Sequence, residues 1–213
     1  MQKCRGLAVA LVVMLLNAPV SHAQQTILFN THPFAGSTAP DTPGRQIVGG
    51  ELFTTFNPAT DVFAFDAGAF GSFSIGSISF VNGVIGAVPA TGVNTIVLRT
   101  FEPTPFAAGT AANLIAGQVT APGAGFFLYF NSGLDVPRLV FSPNLDENTA
   151  DLRVLARLTN LSGQSGRDAF SSFTAANFAL VSTTVPEPSS VLMVAAGLLA
   201  VAVRWRVRQH HKE

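Results

Sequence analysis

The side chains of this 213-residue chain that could do chemistry are few and scattered. Between its two ends lies one histidine, His32, beside Pro33 in a polar stretch. A Ser-His-Asp arrangement would have to use it. No G-x-S-x-G elbow exists; Gly71-Ser72-Phe73-Ser74-Ile75-Gly76 fails the spacing. The bland reading of His32 is a surface loop residue. A zinc centre wants several His or Cys ligands, and the only cysteine, Cys4, stands before the first apolar run. Ten carboxylates between residues 24 and 184 allow many acid pairs of the kind a glycosidase uses, and spacing selects none of them.

One stretch places oxygens at alternate positions: Asn144, Asp146 and Asn148. That is how an EF-hand loop begins. The pattern then departs from it, because Thr149 stands where glycine is needed and Leu155 where a glutamate should close the loop. A polar turn with side chains bonding nearby backbone explains the same residues. No cofactor is expected. The expectation is a chain that is not an enzyme, with a polysaccharide-acting hydrolase as the third-ranked reading.

The charge pattern excludes another class. Between residues 24 and 184 there are six arginines (Arg45, Arg99, Arg138, Arg153, Arg157, Arg167), no lysine and ten acids, a balance of −4. Nucleic-acid binding needs phosphate-neutralising clusters, so nucleic acid is not an expected partner. Whole-chain neutrality hides this, because the remaining positive charge sits at the two ends.

Those ends carry the clearest signals. Lys3 and Arg5, then the apolar run Leu7 to Leu16, then Pro19 and Ser21-His22-Ala23 have the form of a secretory signal peptide over residues 1–23. Cleavage by signal peptidase between Ala23 and Gln24 would remove Cys4 and leave a cysteine-free chain with no disulfide framework. At the other end, Pro186-Glu187-Pro188 is followed by Ser189-Ser190, the uncharged run Val191 to Val203, and a basic end with Arg204, Arg206, Arg208 and Lys212. The prolines force an extended strip that a protease cleft can accept. As a helix, the apolar run would span only about 20 Å, short of the ~30 Å hydrocarbon core. Ser189, Ser190, the Arg204 stem and Trp205 extend it, giving a span over 189–203 with a basic tail over 204–213. Arg204, Arg206 and Arg208 then act as the stop-transfer residues, with the C-terminus on the cytoplasmic side. A permanent tail anchor is the alternative.

This order of Pro-Glu-Pro, short apolar segment and basic cluster resembles the PEP-CTERM sorting signal of bacterial secreted proteins, over residues 185–213. The resemblance implies cutting by a membrane protease of the exosortase class, a transient membrane-anchored precursor, and delivery to the cell surface or beyond. It also implies a setting rich in exopolysaccharide, the extracellular partner this suggests. A structural or adhesive role in such a matrix is the first expectation, and a carbohydrate-binding module the second. Sugar platforms favour exposed Trp and Tyr, and the middle of the chain has only Tyr129.

The elements that must position everything else read as β. Phenylalanine is abundant, Gly and Pro recur, and Lys, Glu and Gln are scarce. The expectation is an all-β, jelly-roll-like sandwich over residues 24–184. Strands are predicted at Asp61–Asp66, Gln46–Phe53, Thr95–Phe101, Leu114–Val119, Phe126–Phe130, Arg138–Phe141 and Phe178–Ser182. The run Ser72 to Val81 changes phase, so Gly76 marks a bulge or break. Asn82-Gly83 predicts a type I′ hairpin between SISFV and VIGAV. Ala150–Leu158 fits a strand with Leu152, Val154, Ala156 and Leu158 on one face, although Leu152, Leu155 and Leu158 would also stack on a helix. Arg167 to Phe173 suits one or two helical turns.

Overall fold

The computed structural model describes residues 23–39, 44–103 and 105–182. Strands are the main regular elements of the described part, beside three short α-helices. Contacts divide the chain after Val181, and the sheets and core belong to the first of the two units. Among the described residues, no helix is long and apolar enough to cross a membrane. The predicted signal peptide and the 189–203 span lie outside the described residues.

Among the described residues, ten strands form two sheets. The smaller has β1 (Thr26–Phe29), β4 (Val62–Asp66) and β10 (Phe178–Val181), in the order β1-β4-β10, with both pairings parallel. The larger runs β2 (Ile47–Val48), β9 (Leu152–Leu158), β8 (Val136–Ser142), β7 (Gly125–Asn131), β6 (Thr95–Leu98), β5 (Phe80–Gly83), and β3 (Leu52–Thr54) also pairs β9. Among the described residues, only β7–β8 and β8–β9 are antiparallel. A jelly roll of antiparallel hairpins is therefore not the topology. Parallel neighbours need long returns rather than tight turns, and residues 99–124 supply one between β6 and β7, carrying the helix Ala108–Ala116.

That helix corrects one expectation. The predicted strand at Leu114–Val119 is the end of a helix whose buried residues are Ala108, Ala111, Ala112 and Ile115, spaced as one helical face requires. We label α1 (Ala67–Phe70), α2 (Ala108–Ala116) and α3 (Gly163–Asp168) in chain order. The α3 segment and the 3₁₀ turn Ala169–Ser172 that succeeds it are the helical turns anticipated near Arg167–Phe173.

The hairpin expectation also fails. Asn82 and Gly83 lie inside β5, which pairs in parallel with β6, Asn82 opposite Val97 and Gly83 opposite Leu98. Asn82 is engaged in tertiary contacts: its side-chain amide donates to the carbonyls of Phe170 at 2.7 Å and Phe173 at 2.9 Å. Those bonds and the β6 ladder outweigh the local turn preference. The predicted break at Gly76 is present, since no strand forms until Phe80 and Ser74 takes a left-handed conformation. The Gln46–Phe53 strand is interrupted at Gly49-Gly50, where Gly50 has φ +85°, and is two strands rather than one.

Ala150–Leu158 is strand, but not with one apolar face. Leu139 pairs Ala156 while Val140 pairs Val154, so Leu155 is an extra residue on β9. A single inserted residue flips the side-chain phase. Leu152 and Val154 accordingly join the cluster beneath α2, and Ala156 and Leu158 join the cluster that includes both sheets.

The latter cluster is built from phenylalanine. Phe63, Phe65 and Phe178 of the smaller sheet meet Phe126, Phe130 and Phe141 of the larger, with Phe70, Phe170 and Phe173 at the margins. The opposite face of the larger sheet places Ile96, Phe127, Tyr129 and Val140 against α2. The larger sheet is thus buried on both faces, which is why β7 has no exposed residue.

Candidate functional site

The candidate residues fall in separate places. His32 is exposed and follows β1. Its Nδ1 accepts the Phe34 N–H at 3.3 Å, and its ring lies 5.3 Å from that of Phe73. It lines a cleft of about 380 Å³ with Asn30, Thr31, Glu51, Leu52 and Arg153. Glu51 is the one carboxylate among the residues lining that cleft, and it is bonded to Arg138 and Arg157.

The Asn144–Asn148 loop follows β8. Asn144 Oδ1 accepts the Gly123 N–H at 2.8 Å, the Asn144 N–H donates to Ser142 Oγ at 3.3 Å, and the Ser142 hydroxyl donates back to the Asn144 carbonyl at 2.8 Å. The side chain at the first position of the loop is thus occupied by backbone. Asp146 and Asn148 line a separate shallow recess beside the end of α2. Among the described residues, no group of three or more His, Cys, Asp or Glu is gathered where it could hold a metal ion.

The strongest electrostatic cluster was not visible in the linear pattern. Register places Phe53, Arg157, Arg138 and Tyr129 in one row across β3, β9, β8 and β7. Two arginines directly opposite each other on neighbouring strands repel. Glu51, 8% exposed, resolves this by bonding both: Arg138 Nε donates to Oε2 at 2.7 Å, and Arg157 Nη2 donates to Oε1. The positive φ of Gly50 turns the chain just before Glu51. At one end of the row, the Arg157 guanidinium lies 4.5 Å above the Phe53 ring, which is 62% exposed. At the other end, Tyr129 is fully buried and accepts the Asn131 amide at 3.0 Å. Burial raises the Tyr129 phenol above its usual range, against the opposing pull of Asn131 and Arg138. Glycines 49 and 50 ahead of a lone glutamate, and arginines alternating on a strand, were the only traces of this cluster in the sequence.

Arg45 is a second tethered cation. Its Nε donates to the Ala150 carbonyl at 2.9 Å, and Nη1 donates to the Gly109 carbonyl at 2.9 Å and to Asn113 Oδ1 at 2.7 Å. Desolvation lowers its pKa, with the Asp151 charge opposing. It ties the start of β2 to α2 and reads as a structural clasp.

The predicted signal-peptide junction is at the surface. Ala23 and Gln24 are exposed, and Gln25 N–H donates to Asp61 Oδ1 at 3.0 Å. The processing residues Pro186, Glu187 and Pro188, and the stop-transfer residues Arg204, Arg206 and Arg208, lie outside the described residues.

Comparison with protein families decides what that tail is. The model of the PEP-CTERM protein-sorting motif matches residues 184–208. The chain carries a PEP-CTERM sorting signal. The matched segment contains the Pro-Glu-Pro strip, the apolar run and the three arginines. A PEP-CTERM signal marks an exosortase-sorted surface protein, with export and a C-terminally membrane-anchored precursor. No curated protein and no solved structure matched the chain.

Proposed function

We propose that this chain is an exosortase substrate whose folded part serves as a structural or adhesive component of the extracellular matrix or cell surface. In this reading signal peptidase removes residues 1–23, an exosortase-type protease cuts near Pro186-Glu187-Pro188, and the folded part is delivered without a cofactor or an enzymatic role. The observation that carries it is the sorting signal at residues 184–208. The folded part is consistent with a passive role. Its strongest charge cluster is internally paired, Glu51 bonding both Arg138 and Arg157. We read the two sheets as the layers of a sandwich, on the strength of the phenylalanine contacts between β4 and β7.

A carbohydrate-binding module is the second reading, favoured by one observation: Phe53 offers an exposed aromatic face with Arg157 beside it. A pull-down of the secreted protein on purified exopolysaccharide separates the two. Retention lost in Phe53→Ala would establish the binding module; no retention on polysaccharide leaves the scaffold role. Turnover of the same polysaccharide would refute both.

A further inference from the structure

The predicted signal-peptide junction sits beside a prepared carboxylate. Gln25 is held on both sides: its N–H donates to Asp61 Oδ1 at 3.0 Å, and its carbonyl accepts the Val62 N–H at 2.9 Å. Asp61 is buried, 5% exposed. Its carboxylate also accepts the Asn57 N–H at 2.8 Å and the Thr60 hydroxyl at 2.9 Å. The Asn177 amide then donates to the carbonyls of Pro58 and Asp61, both at 2.8 Å, so the loop carrying the carboxylate is fixed from behind. Ala23, Gln25, Asn57, Asp61 and Asn160 share a cleft of about 470 Å³.

Cleavage after Ala23 turns the Gln24 nitrogen into an α-ammonium. Successive backbone nitrogens lie within ~4 Å of each other. The new cation therefore falls within about 7 Å of Asp61 Oδ1 and can swing closer by rotating about a single backbone bond. Among the described residues lining this cleft, Asp61 is the one titratable side chain.

We propose that Asp61 is the receptor for the α-ammonium of mature Gln24, and that this pairing protects Gln24 from cyclising to pyroglutamate. Cyclisation needs the neutral amine. Its nitrogen attacks the side-chain carbonyl carbon Cδ, the N–Cδ bond forms, the Cδ–Nε2 bond breaks, and Nε2 leaves with the amine proton as ammonia. No oxidant or reductant takes part. A carboxylate beside the ammonium favours the charged form, and each unit by which the amine pKa rises lowers the reactive fraction about tenfold near neutral pH. Ring closure would erase the charge that Asp61 binds. This inference rests on the proposed signal-peptidase cut after Ala23, goes beyond the matrix role and is independent of the C-terminal signal.

The test uses the secreted mature protein. Its mass and N-terminal sequence are followed over time at neutral pH, native and in urea, for wild type and Asp61→Asn. The expected result is a start at Gln24, loss of ammonia at least about twofold slower in the native wild type than in urea, and a native Asp61→Asn rate approaching that in urea. If Asp61→Asn does not fold, titration of the wild-type α-amine decides: a higher pKa native than in urea supports the pairing, and equal values overturn it. A start at any other residue, equal cyclisation rates native and unfolded, or a folded Asp61→Asn variant as slow as wild type would each overturn it.

Discussion

The rings of Phe65 on β4 and Phe126 on β7 stack with centroids 3.7 Å apart and planes 16° from parallel, joining the smaller sheet to the larger. Phe70 and Phe141 surround Phe126 edge-on at 5.3 Å and at a tilt at 5.5 Å. Both stacked residues are fully buried. Phe65→Ala should therefore lower the unfolding free energy by about 3–5 kcal/mol, measured by urea denaturation. Phe53→Ala, at an exposed edge position, should cost roughly 1 kcal/mol or less. Equal effects at the two sites would remove the assigned role of the Phe65–Phe126 contact.

Glu51 neutralises two arginines that face each other across β8 and β9. Glu51→Gln leaves the pair uncompensated. A partly buried site discounts the full penalty of a broken buried pair, so the expected loss is about 2–4 kcal/mol. Adding Arg157→Leu to that variant should recover part of it, because the repulsion goes with the second charge. Strictly additive losses in the double variant would show that Glu51 does not act through Arg157.

Tyr129 is the chain's single tyrosine, so its ionisation can be read directly from phenolate absorbance. Its folded pKa is raised by burial. In the unfolded chain it ionises near pH 10. Above that pH the unfolded state releases a proton that the native state keeps, so stability is full below about pH 10 and falls as pH rises toward the folded pKa. Tyr129→Phe should flatten this alkaline slope while losing the bond from Asn131. A native-state phenol that ionises at its ordinary pH would contradict the buried placement.

How far residues alone predicted this fold depends on how local each signal was. The strands predicted at Asp61–Asp66 and Phe126–Phe130 are present, as Val62–Asp66 and Gly125–Asn131, because their β-rich residues and their tertiary pairing agree. Asn82-Gly83 misled because its turn preference is local, while the bonds from Asn82 to the carbonyls of Phe170 and Phe173 span sequence separations of 88 and 91. Leu114–Val119 misled because the helical face begins at Ala108, in an alanine-rich stretch with weak hydrophobic contrast. The phase change at Leu155 is invisible without the partner strand, since both faces of β9 are buried and apolar residues suit either. The Glu51 cluster depends on cross-strand register, which no spacing within one strand reveals. The end signals needed no register: the Pro-Glu-Pro motif was legible as it stood, and the family comparison found it at residues 184–208.

The charges at the C-terminal end make an opposed pair of predictions. Changing Arg204, Arg206 and Arg208 together to Gln removes the barrier to sliding through the bilayer, worth at least ~2.5 kcal/mol per charge at its centre. Uncut precursor should then be mislocalised or released. Changing Pro186 and Glu187 to Ala should instead trap an uncleaved, membrane-bound form. Fractionation and blotting distinguish these outcomes, and normal trimming in either variant would refute the assigned roles.

Intact-mass analysis of the extracellular protein reads both ends at once. Processing by signal peptidase and an exosortase-type protease predicts a chain that begins at Gln24 and ends near Pro186-Glu187-Pro188, without the basic tail. Extracellular protein that still carries Arg204 to Glu213 would contradict it.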